Sequence, residues 1–98
     1  MATYIVLFRW TEQGIKGVKD TTKRAAAFKA LVKKAGGQVK DVYWTMGQYD
    51  GVLIFTAPDD ETATAVLMSA GSLGNVRSET LRAFGEDEMP AILAKVGS

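Results

Sequence analysis

The chain has 98 residues, 47% hydrophobic and 23% charged, with a formal net charge of +1. That is the length of one compact domain, expected to span 1–98, and so small a charge exerts no bulk pull toward nucleic acid or an acidic membrane. The absence of cysteine and histidine excludes a disulfide framework, thiol catalysis, Cys-based metal sites, histidine acid–base chemistry and histidine-ligated haem.

Thr3 to Trp10 is short and rich in β-branched and aromatic residues, which predicts a strand. One face holds Tyr4, Val6, Phe8 and Trp10, and the other holds Thr3, Ile5 and Leu7, so it is apolar on both sides. Thr11 to Lys19 reads as a loop or short turn. Asp20, Thr21 or Thr22 then caps a helix predicted to run to Ala35 and to stop at Gly36-Gly37. Its apolar side carries Ala25, Phe28, Leu31, Val32 and Ala35. Lys23, Lys29, Lys33 and Lys34 lie opposite, as a solvated face or an anion-binding patch.

Gln38 to Thr45 alternates, with Val39, Asp41, Tyr43 and Thr45 against Lys40, Val42 and Trp44, as an edge strand does. After the link Met46-Gly47-Gln48-Tyr49, Asp50 to Thr56 is a third strand, apolar on both faces. Pro58 suits a first helical turn, and Asp59, Asp60 and Glu61 suit its positive end. That second helix buries Ala63, Val66, Leu67 and Ala70 and ends near Gly71 or Gly74. Asn75 to Phe84 is a fourth strand of mixed polarity. Glu86 to Val96 is a terminal helix with Met89, Ile92, Leu93 and Val96 as its stripe.

The order is βαββαβ. Doubly apolar strands one and three belong in the centre and mixed strands two and four at the edges. The expected fold is therefore α+β and ferredoxin-like, with antiparallel sheet order 4-1-3-2 and a short C-terminal helix. Both helices cover one face, so the apolar second face calls for a partner. A second copy is the simplest partner, giving a homodimer or higher homo-oligomer. No apolar run reaches the roughly 18 residues of a bilayer span, and the N-terminal run lacks a signal peptide's basic start, so a cytoplasmic protein that engages no membrane is expected.

Arg24 breaks its helix pattern, lying on the wheel between Leu31 and Phe28. A charge there needs a partner or water. In this topology the start of its helix meets the sheet end that carries Trp10, Trp44, Tyr49, Asp50 and Asn75. Asp50 is the nearest plausible partner. The pair is either a clamp on the link between strands two and three, or part of a pocket formed by Trp10, Arg24, Trp44, Tyr49 and Asp50. In that pocket Arg24 would hold a carboxylate or enolate and Tyr49 would donate a hydrogen bond.

The segment Gly47-Gln48-Tyr49-Asp50, followed by Gly51-Val52-Leu53-Ile54-Phe55-Thr56-Ala57-Pro58-Asp59-Asp60, resembles the core of the GYD-domain family. Gly14-Ile15, Arg24, Gly36-Gly37 and the run Gly74 to Phe84 fit the same pattern. The resemblance implies a fold similar to dimeric α/β-barrel proteins and supplies no catalytic residues. Histidine-dependent monooxygenases of that wider group cannot be a guide for a chain without histidine.

Three classes of function remain. One is a self-associating binding or scaffold module. Another is a small cofactor-independent enzyme, or a small-molecule-binding protein, for an aromatic or enolisable metabolite. An arginine beside Asp50 would make it a weak base, which counts against chemistry there. The third, RNA binding, lacks its signature, because strand three has one aromatic and no basic residue. No nucleic-acid partner and no cofactor is expected. The runs Asp59-Asp60-Glu61 and Glu86-Asp87-Glu88 each fan apart from a helix start, so capping is expected and no metal site.

Overall fold

A computed structural model of the chain describes residues 1–97; the boundary expected at Ser98 lies outside them. Strands β1 (Ala2–Trp10), β2 (Gln38–Trp44), β3 (Gly51–Ala57) and β4 (Val76–Ala83) form one four-stranded antiparallel sheet in the order β2-β3-β1-β4. This is the expected order read from the other edge. The helices are α1 (Glu12–Lys16), α2 (Thr21–Lys34), α3 (Asp60–Gly71) and α4 (Met89–Leu93), with 3-10 turns at Val18–Asp20 and Glu86–Glu88. None of them is long and apolar enough to cross a membrane among the described residues.

Alternation along the central strands builds the core. Tyr4, Val6 and Phe8 of β1 and Phe55 and Ala57 of β3 are buried under the helices, where Val32 of α2 and Ala63 and Val66 of α3 meet them. Phe55 is fully buried, stacked on Tyr4 at 5.2 Å between centroids and edge-on to Phe28 at 5.7 Å. The stripe expected on α2 is the one that faces the sheet, with Ala25, Phe28, Leu31 and Ala35 half-buried and Val32 buried.

Four local expectations change. Thr11 to Lys19 is not a plain loop, because the Thr11 hydroxyl accepts the Gly14 N–H and starts α1. Pro58 stays outside α3, whose N-cap is Asp59, its carboxylate accepting the Thr62 N–H at 2.8 Å. The terminal helix divides into the turn Glu86–Glu88 and the short α4. In β2, simple alternation fails at a bulge, since Val39 pairs with Phe55 and Asp41 with the adjacent Ile54, leaving Lys40 as the extra residue. Val39 therefore shares the helix side with Val42 and Trp44, while Asp41 and Tyr43 take the open side.

Tyr4 is the one core residue with a polar end, and its hydroxyl donates to Asp60 Oδ1 at 2.5 Å. Burial, with that hydrogen bond second, pushes its phenol from 10.0 up to about 12. A group whose pKa is raised by folding contributes stability that is complete below the unfolded value and is lost as pH rises through the folded one. Stability should thus fall between pH 10.0 and about 12. The fall should be shallower in Tyr4→Phe, and urea midpoints across that interval check the difference.

Candidate functional site

The layer between helices and sheet closes at one end and is hollow at the other. Around Tyr4 and Phe55 the contacts are tight. Toward Trp10 and Trp44 the first half of α2 and the last half of α3 present Ala25 and Ala70, too short to meet across the gap. A cavity of about 210 Å³ results. Phe8 and Leu53 form its floor, Phe28, Leu31 and Leu67 its sides, and the two tryptophans its end. Its polar groups are few, with Arg24 and Thr21 on α2 and Asn75 and Ser78 at β4. The Trp44 indole Nε1–H donates to Thr21 Oγ1 at 3.0 Å, which fixes the ring across the start of α2.

Arg24 reaches this cavity but does not meet Asp50. Its guanidinium donates to the carbonyl oxygens of Gly14 at 3.1 Å and Gly17 at 2.6 Å, holding the end of α1 against α2. The Gly17 carbonyl also accepts the Asp20 N–H at 3.0 Å, whereas the Gly14 carbonyl, near the end of a short helix, relies on the guanidinium, so a cation is well placed there. Two of its five N–H groups are used in these bonds.

Asp50 has another task. β3 begins at Gly51, opposite Phe8, so the Trp10 N–H on that side lies past the ladder. The Asp50 carboxylate supplies the missing acceptor at 2.9 Å, while its own N–H donates to the Phe8 carbonyl at 2.8 Å. A glycine in the turn before it and one directly after it make this placement possible. Gly47 has φ +105°, a conformation side chains resist, and a Cβ on Gly51 would stand 2.1 Å from the Phe8 ring.

Tyr49 points to the opposite side of the sheet. Arg9, which follows Ile5 and Leu7 on the open face, donates to the Gln48 carbonyl at 2.9 Å and places its guanidinium 4.4 Å from the Tyr49 ring centre. The Tyr49 hydroxyl lies 3.3 Å from Glu79, which also pairs with Arg9 at 3.7 Å. The five expected pocket residues are thus divided. Trp10, Arg24 and Trp44 gather at the cavity, Asp50 secures the strand end behind them, and Tyr49 belongs to the open face.

The sequence reading missed Thr21, Phe8, Phe28 and Leu53 as cavity residues, because a wall and a core residue have the same apolar pattern. It also missed the group Arg9, Tyr49 and Glu79, for which the charge of Arg9 on an otherwise apolar strand face was the available signal. The open face itself carries Ile5, Leu7, Val52 and Ile54, half-buried, with Tyr43 58% and Leu81 50% exposed at its margins. Among the described residues no three acidic groups gather closely enough to hold a metal ion.

Replacing Asp50 separates a fastener from a reacting group. Asp50→Asn keeps an acceptor for the Trp10 N–H and should change stability little. Asp50→Ala leaves that N–H without a partner and should cost roughly 1–3 kcal/mol. Chemical denaturation of the two variants side by side checks the expectation.

The GYD domain family profile matches residues 4–93. No curated protein matches the chain. Among solved structures, TTHA0845 from Thermus thermophilus is 31% identical, with a TM-score of 0.55 over 87% of this chain and 95% of its own. FFRP-DM1 is 16% identical with a TM-score of 0.62, covering 86% of this chain and 100% of its own. The hypothetical protein PHS023 from Pyrococcus horikoshii is 16% identical with a TM-score of 0.57, covering 88% and 93%. At that identity the last two speak to the fold alone. With the family profile spanning nearly the whole chain, and the Gly47-Gln48-Tyr49-Asp50 turn tying β3 to the end of β1, the chain belongs to the GYD domain family.

Proposed function

We propose that this chain is one self-associating, small-molecule-binding domain of the ferredoxin-like βαββαβ type, a two-fold homodimer with an apolar cavity in each copy. The observation that carries the ligand reading is the hollow at the Trp10–Trp44 end. A cavity of about 150 Å³ already accepts benzene. The 210 Å³ here suits one aromatic ring with a small polar substituent. Arg24 and Thr21 stand where that substituent would find donors.

Binding is favoured over catalysis by what the lining contains. It has no carboxylate and no other general base, so nothing in it would take a proton from an enolisable carbon. The candidate residues Trp10, Arg24 and Trp44 serve as walls and anchor in this reading, and Asp50 as their support. Self-association is supported by the open face. Its centre is apolar, its margin carries both Arg9 and Glu79, and two copies related by a two-fold axis can offset each other's charges.

Both tryptophans of the chain line the cavity, so their fluorescence reports on its contents. Titration with phenol or benzoate should change the emission saturably. Ala70→Leu should remain folded and lose that response, because the added carbons occupy the hollow. A linear, non-saturating response to both compounds in the unmodified protein would sink the ligand reading.

For the dimer, sedimentation equilibrium of the full chain should give twice the chain mass. Ile54→Lys, at the centre of the open face, should weaken association at least tenfold, about 1.4 kcal/mol. Equal masses for the two proteins at all concentrations would remove the sheet face as the interface.

A further inference from the structure

Beyond β4 the chain leaves the body of the fold. Phe84 and Gly85 carry it off the sheet, the turn Glu86–Glu88 follows, and α4 has that turn as its chief packing partner. The molecule measures 52 Å along its longest axis and 19 Å along its shortest. Its radius of gyration is 14.8 Å, against about 13 Å for a compact chain of this length. Phe84, Leu93 and Val96 on this arm are 52%, 60% and 67% exposed. A helix of one or two turns is not stable alone in water, so an arm of this composition needs a surface to lie on.

We infer that the arm of one copy docks in the groove between α2 and β2 of a second copy. That groove, about 280 Å³, has Ala25, Ala26, Val39 and Val42 as its floor, with Lys29 and Lys40 on its rim. Its end is closed by Trp44, which also walls the ligand cavity. The inference rests on the face-to-face dimer proposed above.

Two observations select a second copy as the occupant. The first is charge. The arm begins with Glu86, Asp87 and Glu88, whereas α2 has four lysines, Arg24 and no acidic residue. Asp41 is the one acidic group lining the groove. The bulge at β2 makes Lys40 the extra residue of an edge strand, which discourages strand-to-strand pairing there and leaves a cation on the rim.

The second is register. Ala83 pairs with Thr3, Thr3 with Thr56, and Thr56 with Gln38, so these four residues form one row across the sheet. The arm therefore leaves β4 on the row where β2 begins at the opposite edge. A two-fold axis running along the strands, between two facing sheets, lays β4 of one copy over β2 of the other and keeps the rows aligned. Past Ala83 the arm then emerges beside Gln38, where β2 of the second copy begins, on the open side of that strand, and it reaches the groove on the helix side by turning back around the β2 edge. Within its own copy the same groove is three strand spacings away, about 14 Å across the sheet.

The chain has no cysteine, so introduced pairs can be read without background. Chains bearing Leu93→Cys on the arm are mixed with chains bearing Ala26→Cys in the groove and oxidised. The mixed disulfide should exceed by tenfold that formed with Met68→Cys, an exposed position on α3. Glu86→Lys with Asp87→Lys should raise the dimer dissociation constant at least tenfold, and Lys29→Glu with Lys40→Glu in the same chain should restore it. Glu88 is left unchanged because its side chain accepts the Gly85 N–H and holds the turn. A dimer that cross-links no better than the control overturns the arm docking and leaves the dimer standing. A full chain that sediments as a monomer overturns both. A disulfide formed only within single chains carrying both cysteines overturns the second copy as occupant.

Discussion

The bond between the Asp50 carboxylate and the Trp10 N–H is the fastening on which this end of the molecule depends. β1 runs past the start of β3, so its last residue faces a side with no strand to pair with. Asp50 extends the pairing by one hydrogen bond, using a side chain where the backbone ladder has run out. Because of it, Trp10 continues the alternation of Tyr4, Val6 and Phe8 and stands at the end of the cavity instead of turning away. Gly51 beside it makes room for Phe8, and Gly47 allows the turn that brings Asp50 into place. Glycine, tyrosine and aspartate in this turn thus have three different physical tasks. The glycine bends the chain, the aspartate pairs with β1, and the tyrosine lies under Arg9 on the far side.

The two sides of the sheet have different characters for the same underlying reason. Sheets with both helices on one face have an apolar face to spare whenever the central strands are apolar throughout. Here the covered face is itself uneven. Aromatic stacking of Tyr4, Phe55 and Phe28 fills one end, while alanines on α2 and α3 leave the other end hollow. A hollow next to a tightly packed core costs dispersion contacts, which a fitting ligand would restore. Arg24 stands at the hollow end, where it pins α1 to α2 and still has N–H groups to spare.

Much of the fold was legible because it rests on local pattern. The short β-branched and aromatic runs of strands one and three, the α2 stripe of Phe28, Leu31 and Val32, and the glycine stops each depend on residues a few positions apart. The edge and centre assignment followed from counting apolar faces. The bulge at Lys40 was not legible, because one extra residue in a strand leaves composition unchanged and shifts only which neighbour each residue meets. Nor could the Thr11 cap be told from a loop threonine until the Gly14 N–H was seen on it.

By itself the sequence determined the element order, the central strands, the family resemblance and the residues that do not fit their local surroundings, Arg24 among them. Which residue each of these meets was decided only by tertiary structure. Arg24 and Asp50 lie at the same end of the sheet, as the topology implied, yet each is taken by a backbone group nearer than the other's charge. An unpaired carbonyl or N–H at an element's end is as demanding as an opposite charge, and it cannot be read from side-chain identity. The hollow has the same origin, being set by the distance between two helices that meet only after the chain has folded.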